Sequence, residues 1–266
     1  MRHALPLLAL ALGLSLGGAA SAADDSAALP NKHVQWSFEG PFGTYDRGAL
    51  QRGFQVYKEV CSNCHKLSIP FRALADSYGP GYTAEQVKAL AASYQVTNDE
   101  PNDKGEIFDA NGNRLTRPGI LADHFPPPFP NEEAARATNS GALPPDLSLI
   151  VKARAGGPDY VYSILTGFSH KPPKGFEVPD GNYYNPYFAG RNISMPPPLA
   201  AGSVTFADGT RSSVAQEAHD VVTYLSWASE PKLEERHRVG FEVMAFLVLL
   251  AGLLFLTYRK VWKDLH

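Results

Sequence analysis

The stretch Cys61-Ser62-Asn63-Cys64-His65 decides the fold of this 266-residue chain. Two cysteines three positions apart, followed at once by a histidine, form the C-x-x-C-H motif at which c-type haem is attached. The spacing has a chemical reason, because two thiols on one helical turn can reach both vinyl groups of one porphyrin while His65 lies beneath the iron. The motif therefore predicts one covalently bound haem c.

Two other kinds of site use a C-x-x-C pair. A thioredoxin-like dithiol requires a βαβ context, and the sequence pattern around Cys61 does not provide one. A zinc site requires two more ligands at matching spacing, and Cys61 and Cys64 are the only cysteines in the chain. The histidine that directly follows the pair favours haem over both.

An iron bound by His65 needs a second axial ligand if it is to transfer electrons rather than bind gases. Of the three methionines, Met1 lies in a leader and Met244 in an apolar C-terminal run, which leaves Met195. Three prolines follow Met195 and hold that segment extended, like a strap. We expect Met195 to be the ligand, although a lone methionine more often fills a gap in a core. Bis-histidine ligation is the alternative, with the candidates His33, His124, His170, His219 and His237.

The two ends of the chain predict export and anchoring. Arg2, an apolar run and Ala20-Ser21-Ala22 predict a signal peptide over residues 1–22; the absence of scattered arginines favours a bacterium. Residues 240–258 carry one charge and span about 30 Å as a helix. We assign residues 23–236 to an exported haem domain, 237–258 to a transmembrane anchor and 259–266 to a cytoplasmic tail. Lys and Arg are balanced across the span, so the signal peptide places the haem domain on the periplasmic side of a bacterial inner membrane.

The exported part is predicted to be mainly α, a c-type cytochrome fold with long Pro/Gly-rich loops, because the chain contains 22 prolines and 23 glycines. Apolar periodicity predicts helices over residues 46–60, 83–92, 158–165 and 213–229. Gly53 should let a second backbone approach, Ser213 and Gln216 should form a capping box, and Asn111-Gly112 should turn a hairpin. The net charge of −3 gives no support for nucleic-acid binding.

Longer blocks resemble the cytochrome c1 family, the haem subunits of quinol–cytochrome c reductase (cytochrome bc1) complexes. They are RGFQVYKEVCSNCH at 52–65, the run from RPGILADHF to YSILTG at 117–167, NPYFAGRNISMPPPL at 185–199 and DVVTYLSWASEP at 220–231. The resemblance covers essentially the whole chain after residue 22. One departure is the lack of an additional cysteine pair near the strap, which some family members have.

The resemblance implies a one-electron relay without bond-making chemistry of its own. It implies an anchor beside cytochrome b, electrons arriving from the Rieske iron–sulfur protein, and electrons leaving to a soluble c-type cytochrome. Another membrane-anchored monohaem cytochrome feeding a terminal oxidase is the alternative. The family's site residues carry over to Cys61 and Cys64 as haem attachment points, His65 and Met195 as iron ligands, Arg154 and Tyr160 near the propionates, and Ala142, Leu143 and Pro144 as apolar walls.

Overall fold

The computed structural model describes residues 28–263 and is mainly helical. The predicted signal peptide, residues 1–22, lies outside the described residues, as do residues 264–266. The six α-helices are α1 (Arg47–Glu59), α2 (Ala84–Ala92), α3 (Glu132–Thr138), α4 (Gly157–Gly167), α5 (Val214–Ser229) and α6 (Leu233–Val261). Short 3-10 turns cover Cys61–Asn63, Phe71–Ala75 and Ala189–Arg191.

Helices α1 and α5 cross at Gly53 and form the centre of the domain that precedes α6. A Cβ at Gly53 would lie 2.0 Å from the carbonyl oxygen of Asp220 on α5, so only a glycine permits this approach. Phe54 and Tyr57 on α1 pack against Tyr224 on α5, with ring centroids 5.6 and 5.9 Å apart. The prediction that Gly53 admits a second backbone is confirmed.

The helix ends show which local predictions were correct. Asp46 caps α1 by accepting from Ala49 N at 3.1 Å. Ser213 caps α5 by accepting from Gln216 N at 3.2 Å. The predicted capping box there is wrong in its second half, because the Gln216 side chain donates to Asp220 at 2.9 Å instead of reaching back to the cap.

The loops between the helices contain two small antiparallel sheets. Strand β1 (Gln95–Thr97) pairs with β2 (Thr116–Pro118), and β3 (Tyr183–Tyr184) pairs with β4 (Asn192–Ile193). The β1–β2 connection turns back at Gly112, whose φ is 82°, and Asp109 N donates to Asn113 O at 2.8 Å. The predicted hairpin is therefore confirmed, and β3–β4 leads directly into the Met195 strap.

Helix α6 stands apart from the core. Its 29 residues include an 18-residue window of mean hydropathy 2.5, none of which is buried. Within residues 28–263 it is the one helix long and apolar enough to cross a membrane. Its first turn is attached to the domain through Glu234, which accepts from Tyr45 N at 2.8 Å and pairs with Arg47 at 3.1 Å. An exposed apolar helix held in this way fits a membrane anchor better than a core helix.

Candidate haem-binding site

The C-x-x-C-H motif forms one tight turn directly after α1. Cys61 O accepts from Cys64 N at 3.1 Å and from His65 N at 2.9 Å. Ser62 and Asn63 close the end of the helix, because their side chains donate to Lys58 O and Glu59 O at 2.7 and 3.1 Å. Helix α1 therefore delivers both cysteines and the histidine within one turn, as attachment to a single porphyrin requires.

The His65 ring is held by a loop 80 residues further along the chain. Its Nδ1 donates to Pro145 O at 2.9 Å when the proton is on that nitrogen, which leaves Nε2 as the nitrogen able to bind a metal. A backbone carbonyl acceptor of this kind fixes the tautomer and ring orientation of a histidine ligand. Burial lowers the pKa of His65, an effect opposed by the Pro145 contact, so the neutral, ligating form is favoured.

The Cys61 thiol has the properties of an attachment point rather than of a catalytic nucleophile. Burial raises the pKa of Cys61 to about 12, with the neighbouring Cys64 adding to the shift. A catalytic dithiol needs the opposite shift, because the thiolate is its nucleophile. No cluster of three or more His, Cys, Asp or Glu residues suited to a metal ion occurs within residues 28–263.

The predicted wall residues lie in the loop that holds His65. Ala142 and Pro144 are half-buried and Leu143 is 36% exposed, just ahead of Pro145. The loop is attached to the segment after the motif by Leu147 N, which donates to Lys66 O at 2.9 Å. The loop that contains these three residues is thus held near the motif, and their role as apolar walls stays a prediction.

Arg154 and Tyr160 are neighbours at the start of α4. Burial raises the pKa of Tyr160, and the nearby positive charge of Arg154 opposes that shift. The guanidinium is exposed, contacts the backbone oxygen of Ala153 at 3.3 Å and makes no ion pair within residues 28–263. It is therefore available to a carboxylate from outside the chain, such as a porphyrin propionate.

Met195 is half-buried on a braced strap. Ser194 donates to Asn182 Oδ1 at 2.8 Å, and Asn182 donates to Asn192 at 2.9 Å, so the β3–β4 hairpin fixes the start of the strap. Leu199 at its other end is buried in the core. The strap is thus attached on both sides of Met195, and iron ligation by Met195 stays a prediction.

The alternative histidine ligands have other surroundings. Three of them place Nδ1 against a protein acceptor, at 3.1, 3.1 and 3.4 Å for His33, His170 and His219. His33 is also 79% exposed, and His219 stacks on Trp36 with centroids 5.1 Å apart. His124 is exposed and His237 lies on α6. None of these surroundings singles out a second axial ligand, and bis-histidine ligation stays the alternative to Met195.

Sequence reasoning missed two neighbours of His65. Pro145 supplies the acceptor for the ring, and the Tyr57 hydroxyl lies 3.5 Å from His65 O. Neither side chain is a metal ligand, so the motif offered no reason to select them. The signal that could have found Pro145 is the Pro144-Pro145 pair, which forces an extended backbone whose carbonyls are not used in a helix.

The family model described as the Cytochrome C1 family matches residues 36–265. A protein named cytochrome b/c1 from Bradyrhizobium diazoefficiens is 51% identical over 251 residues, which are 87% of this chain but 35% of that protein. The chain thus spans about a third of that relative. Cytochrome c1 of Rhodospirillum rubrum is 43% identical over 275 residues, covering 97% of the chain and 96% of the relative. A mitochondrial cytochrome c1 heme protein of Arabidopsis thaliana is 45% identical, covering 95% and 78%.

Proposed function

Because this chain belongs to the cytochrome c1 family, whose members are c-type cytochromes with a single covalently attached haem, we propose that it relays electrons one at a time within a quinol–cytochrome c reductase. Electrons would arrive from the Rieske iron–sulfur protein and leave to a soluble c-type cytochrome. The observation that carries the proposal is the His65 ring, oriented by Pro145 O beside two cysteines on one turn.

The residues present fit a haem. Two free thiols match the two vinyl groups, the oriented imidazole matches the iron, and the exposed Arg154 guanidinium matches a propionate. Haem c, when bound, supplies an iron that gains and loses one electron. In this proposal Cys61 and Cys64 hold the porphyrin, and His65 and Met195 ligate the iron. Arg154 and Tyr160 lie near the propionates, where the guanidinium supplies the opposite charge and the phenol can donate a hydrogen bond, while Ala142, Leu143 and Pro144 form apolar walls.

The anchor helix α6 bears on two further partners, cytochrome b and the membrane. We place α6 beside cytochrome b, which is consistent with the relative whose name joins the two cytochromes in one polypeptide. We place the haem domain on the periplasmic side of a bacterial inner membrane, with the tail in the cytoplasm. The support is the exposed, apolar α6 and the predicted signal peptide.

Haem attachment is tested by mass spectrometry of the chain purified from membranes. The peptide that contains Cys61 and Cys64 should carry one haem through two thioethers, and Cys64→Ala should disrupt that linkage. Lys66→Ala is a matched control, since Lys66 is exposed beside the motif and uses its backbone oxygen for Leu147. A peptide with two unmodified thiols would contradict the proposal.

The relay is tested by co-purification and kinetics. A tagged chain should bring down cytochrome b and a Rieske protein, its haem should be reduced when quinol is added, and soluble cytochrome c should reoxidise it. Recovery with a terminal oxidase and no cytochrome b would favour the alternative of an oxidase-feeding cytochrome.

A further inference from the structure

The backbone that carries Met195 has unequal freedom on its two sides. The three prolines at 196–198 fix φ on the far side, and the first of them also restricts the backbone of Met195 itself. Leu199, which ends this stiff segment, is 8% exposed and belongs to the core. The rotation that could carry the Met195 side chain towards an iron or away from it is therefore concentrated before it, at Ser194.

A chain of side-chain hydrogen bonds holds Ser194 to the β3–β4 hairpin. The Ser194 hydroxyl donates to Asn182 Oδ1 at 2.8 Å, and Asn182 Nδ2 donates to Asn192 Oδ1 at 2.9 Å. Asn192 Nδ2 in turn donates to the carbonyl oxygen of Gly190 at 2.8 Å. Each amide thus accepts a bond at its oxygen and donates one at its nitrogen, and bonds arranged in such a chain strengthen one another.

The far end of this chain lies at a strained turn. Arg191 has a φ of 57°, in the left-handed region, and is one of two residues other than glycine with a positive φ within residues 28–263. A residue stays in this conformation where the surrounding contacts determine it, and such positions cluster at functional sites. The bond from Asn192 to Gly190 O is one of the contacts that hold this turn.

The hairpin is attached to the haem domain through a buried residue. Asn185, directly after β3, is 0% exposed and donates from Nδ2 to Ile164 O on α4 at 2.8 Å. Its Oδ1 accepts from Tyr187 N at 3.2 Å, and its own backbone N–H donates to Arg191 O at 2.9 Å. The hydrogen-bond chain that starts at Ser194 therefore ends on a part of the hairpin that α4 holds in place.

We propose that Asn182 is a positioning residue for the sulfur of Met195, a role that rests on the proposed ligation of iron by Met195. Asn182 is the middle link of the chain, and its amide meets the need for an acceptor towards Ser194 and a donor towards Asn192. While the link is closed, rotation at Ser194 is blocked and the sulfur stays at the sixth position of the iron. When the link is lost, the strap swings about its buried end at Leu199 and the sixth position opens more often.

Carbon monoxide binding by the reduced chain within its complex, followed at the haem c absorption, measures how often the sixth position is open. Asn182→Leu keeps the branched shape of the side chain and removes both polar atoms. It should speed carbon monoxide binding about tenfold, the change expected when the hydrogen bond from Ser194 is lost. Asn113→Leu is the control, because the Asn113 amide donates to Asp109 at 3.3 Å on the β1–β2 connection, and it should leave the rate unchanged. A wild-type rate in Asn182→Leu, or an equal acceleration in Asn113→Leu, would overturn the proposal.

Ser194→Ala tests the same bond from its other end, at an exposed residue whose loss leaves the core intact. It should speed carbon monoxide binding as much as Asn182→Leu does, and the double variant should be no faster, because both changes remove one shared bond. Additive effects would show that Asn182 acts by another route and would also overturn the proposal. Rapid binding by the wild-type chain would instead remove Met195 from the iron, whereas a closed wild type with an unaltered Asn182→Leu rejects the role of Asn182 alone.

Discussion

Replacement of Gly53 by alanine should separate the two helices on which the domain is built. The new Cβ would lie 2.0 Å from Asp220 O and 2.6 Å from Asp220 C, whereas ordinary contacts begin near 3.4 Å. The backbones would have to move apart by about 1.4 Å at this point, because a backbone carbonyl in the middle of α5 cannot rotate away as a side chain can.

The cost follows from opposing effects on the free energy of unfolding. Overpacking of a well-packed core costs about 1–3 kcal/mol, and backbone contact places this site at the upper end. In the opposite direction, the higher helix propensity of alanine stabilises the helix by up to about 1 kcal/mol relative to glycine. The separation would also loosen the contacts of Tyr224 with Phe54 and Tyr57. We expect a net loss of about 2 kcal/mol, a large part of the ~5–15 kcal/mol that stabilises a domain.

The assay is urea unfolding of the purified haem-bearing chain in detergent, followed by haem absorbance and tryptophan fluorescence. Gly48→Ala is the matched control in the same helix. A Cβ there would lie 3.1 Å from Arg52 Nη1 and 3.2 Å from Asp46 Oδ1, side-chain atoms that need to shift by only a few tenths of an ångström, so its loss of stability should be well below that of Gly53→Ala. If Gly53→Ala unfolds at the wild-type urea concentration, the reasoning about the crossing is wrong.

Three further substitutions test the strap, a cap and a charge. Met195→Leu should lower the haem potential and open a site for carbon monoxide; an unchanged redox titration would place the second ligand elsewhere. Thr83→Ala removes a capping box in which Thr83 and Gln86 exchange hydrogen bonds at 2.8 and 3.2 Å, and should cost about 1 kcal/mol by urea unfolding. The Thr210 N–H and then Arg52 lower the pKa of Asp208 to about 2. Its carboxylate therefore stabilises the fold above the ordinary pKa of ~4, and this contribution is lost as the pH falls toward 2. Asp208→Asn should flatten the pH dependence of stability in that window, and an unaltered slope would contradict the assignment.

Local chemistry made some features predictable from sequence. Gly53 is a glycine inside an apolar helical pattern, and such a residue usually marks a close approach. The 3.6-residue period located α1, α2, α4 and α5, and the uncharged run near the C-terminus located α6. Each of these signals lies within one segment of the chain.

What the sequence did not predict depends on distant partners. The acceptor for His65 lies 80 residues away, so only the folded chain reveals it. The Gln216 side chain could bond either to the backbone of its own cap residue or to Asp220, and it bonds to Asp220. Arg52 on α1 donates to the same Asp220 carboxylate at 2.7 Å and so holds it in place as an acceptor. Family resemblance supplied Arg154 and Tyr160, whose spacing alone carries no signature.

The bond from Tyr45 N to Glu234 has a practical consequence for anyone who wishes to release the haem domain from its membrane. A protein shortened at residue 232 would lose not just its anchor but also the acceptor of a nearly buried N–H and the partner of Arg47. Shortening after the first turn of α6 keeps both. The boundary for a soluble version therefore lies inside the helix, near residue 236 where the apolar pattern also ends the haem domain, and not at the first residue of α6.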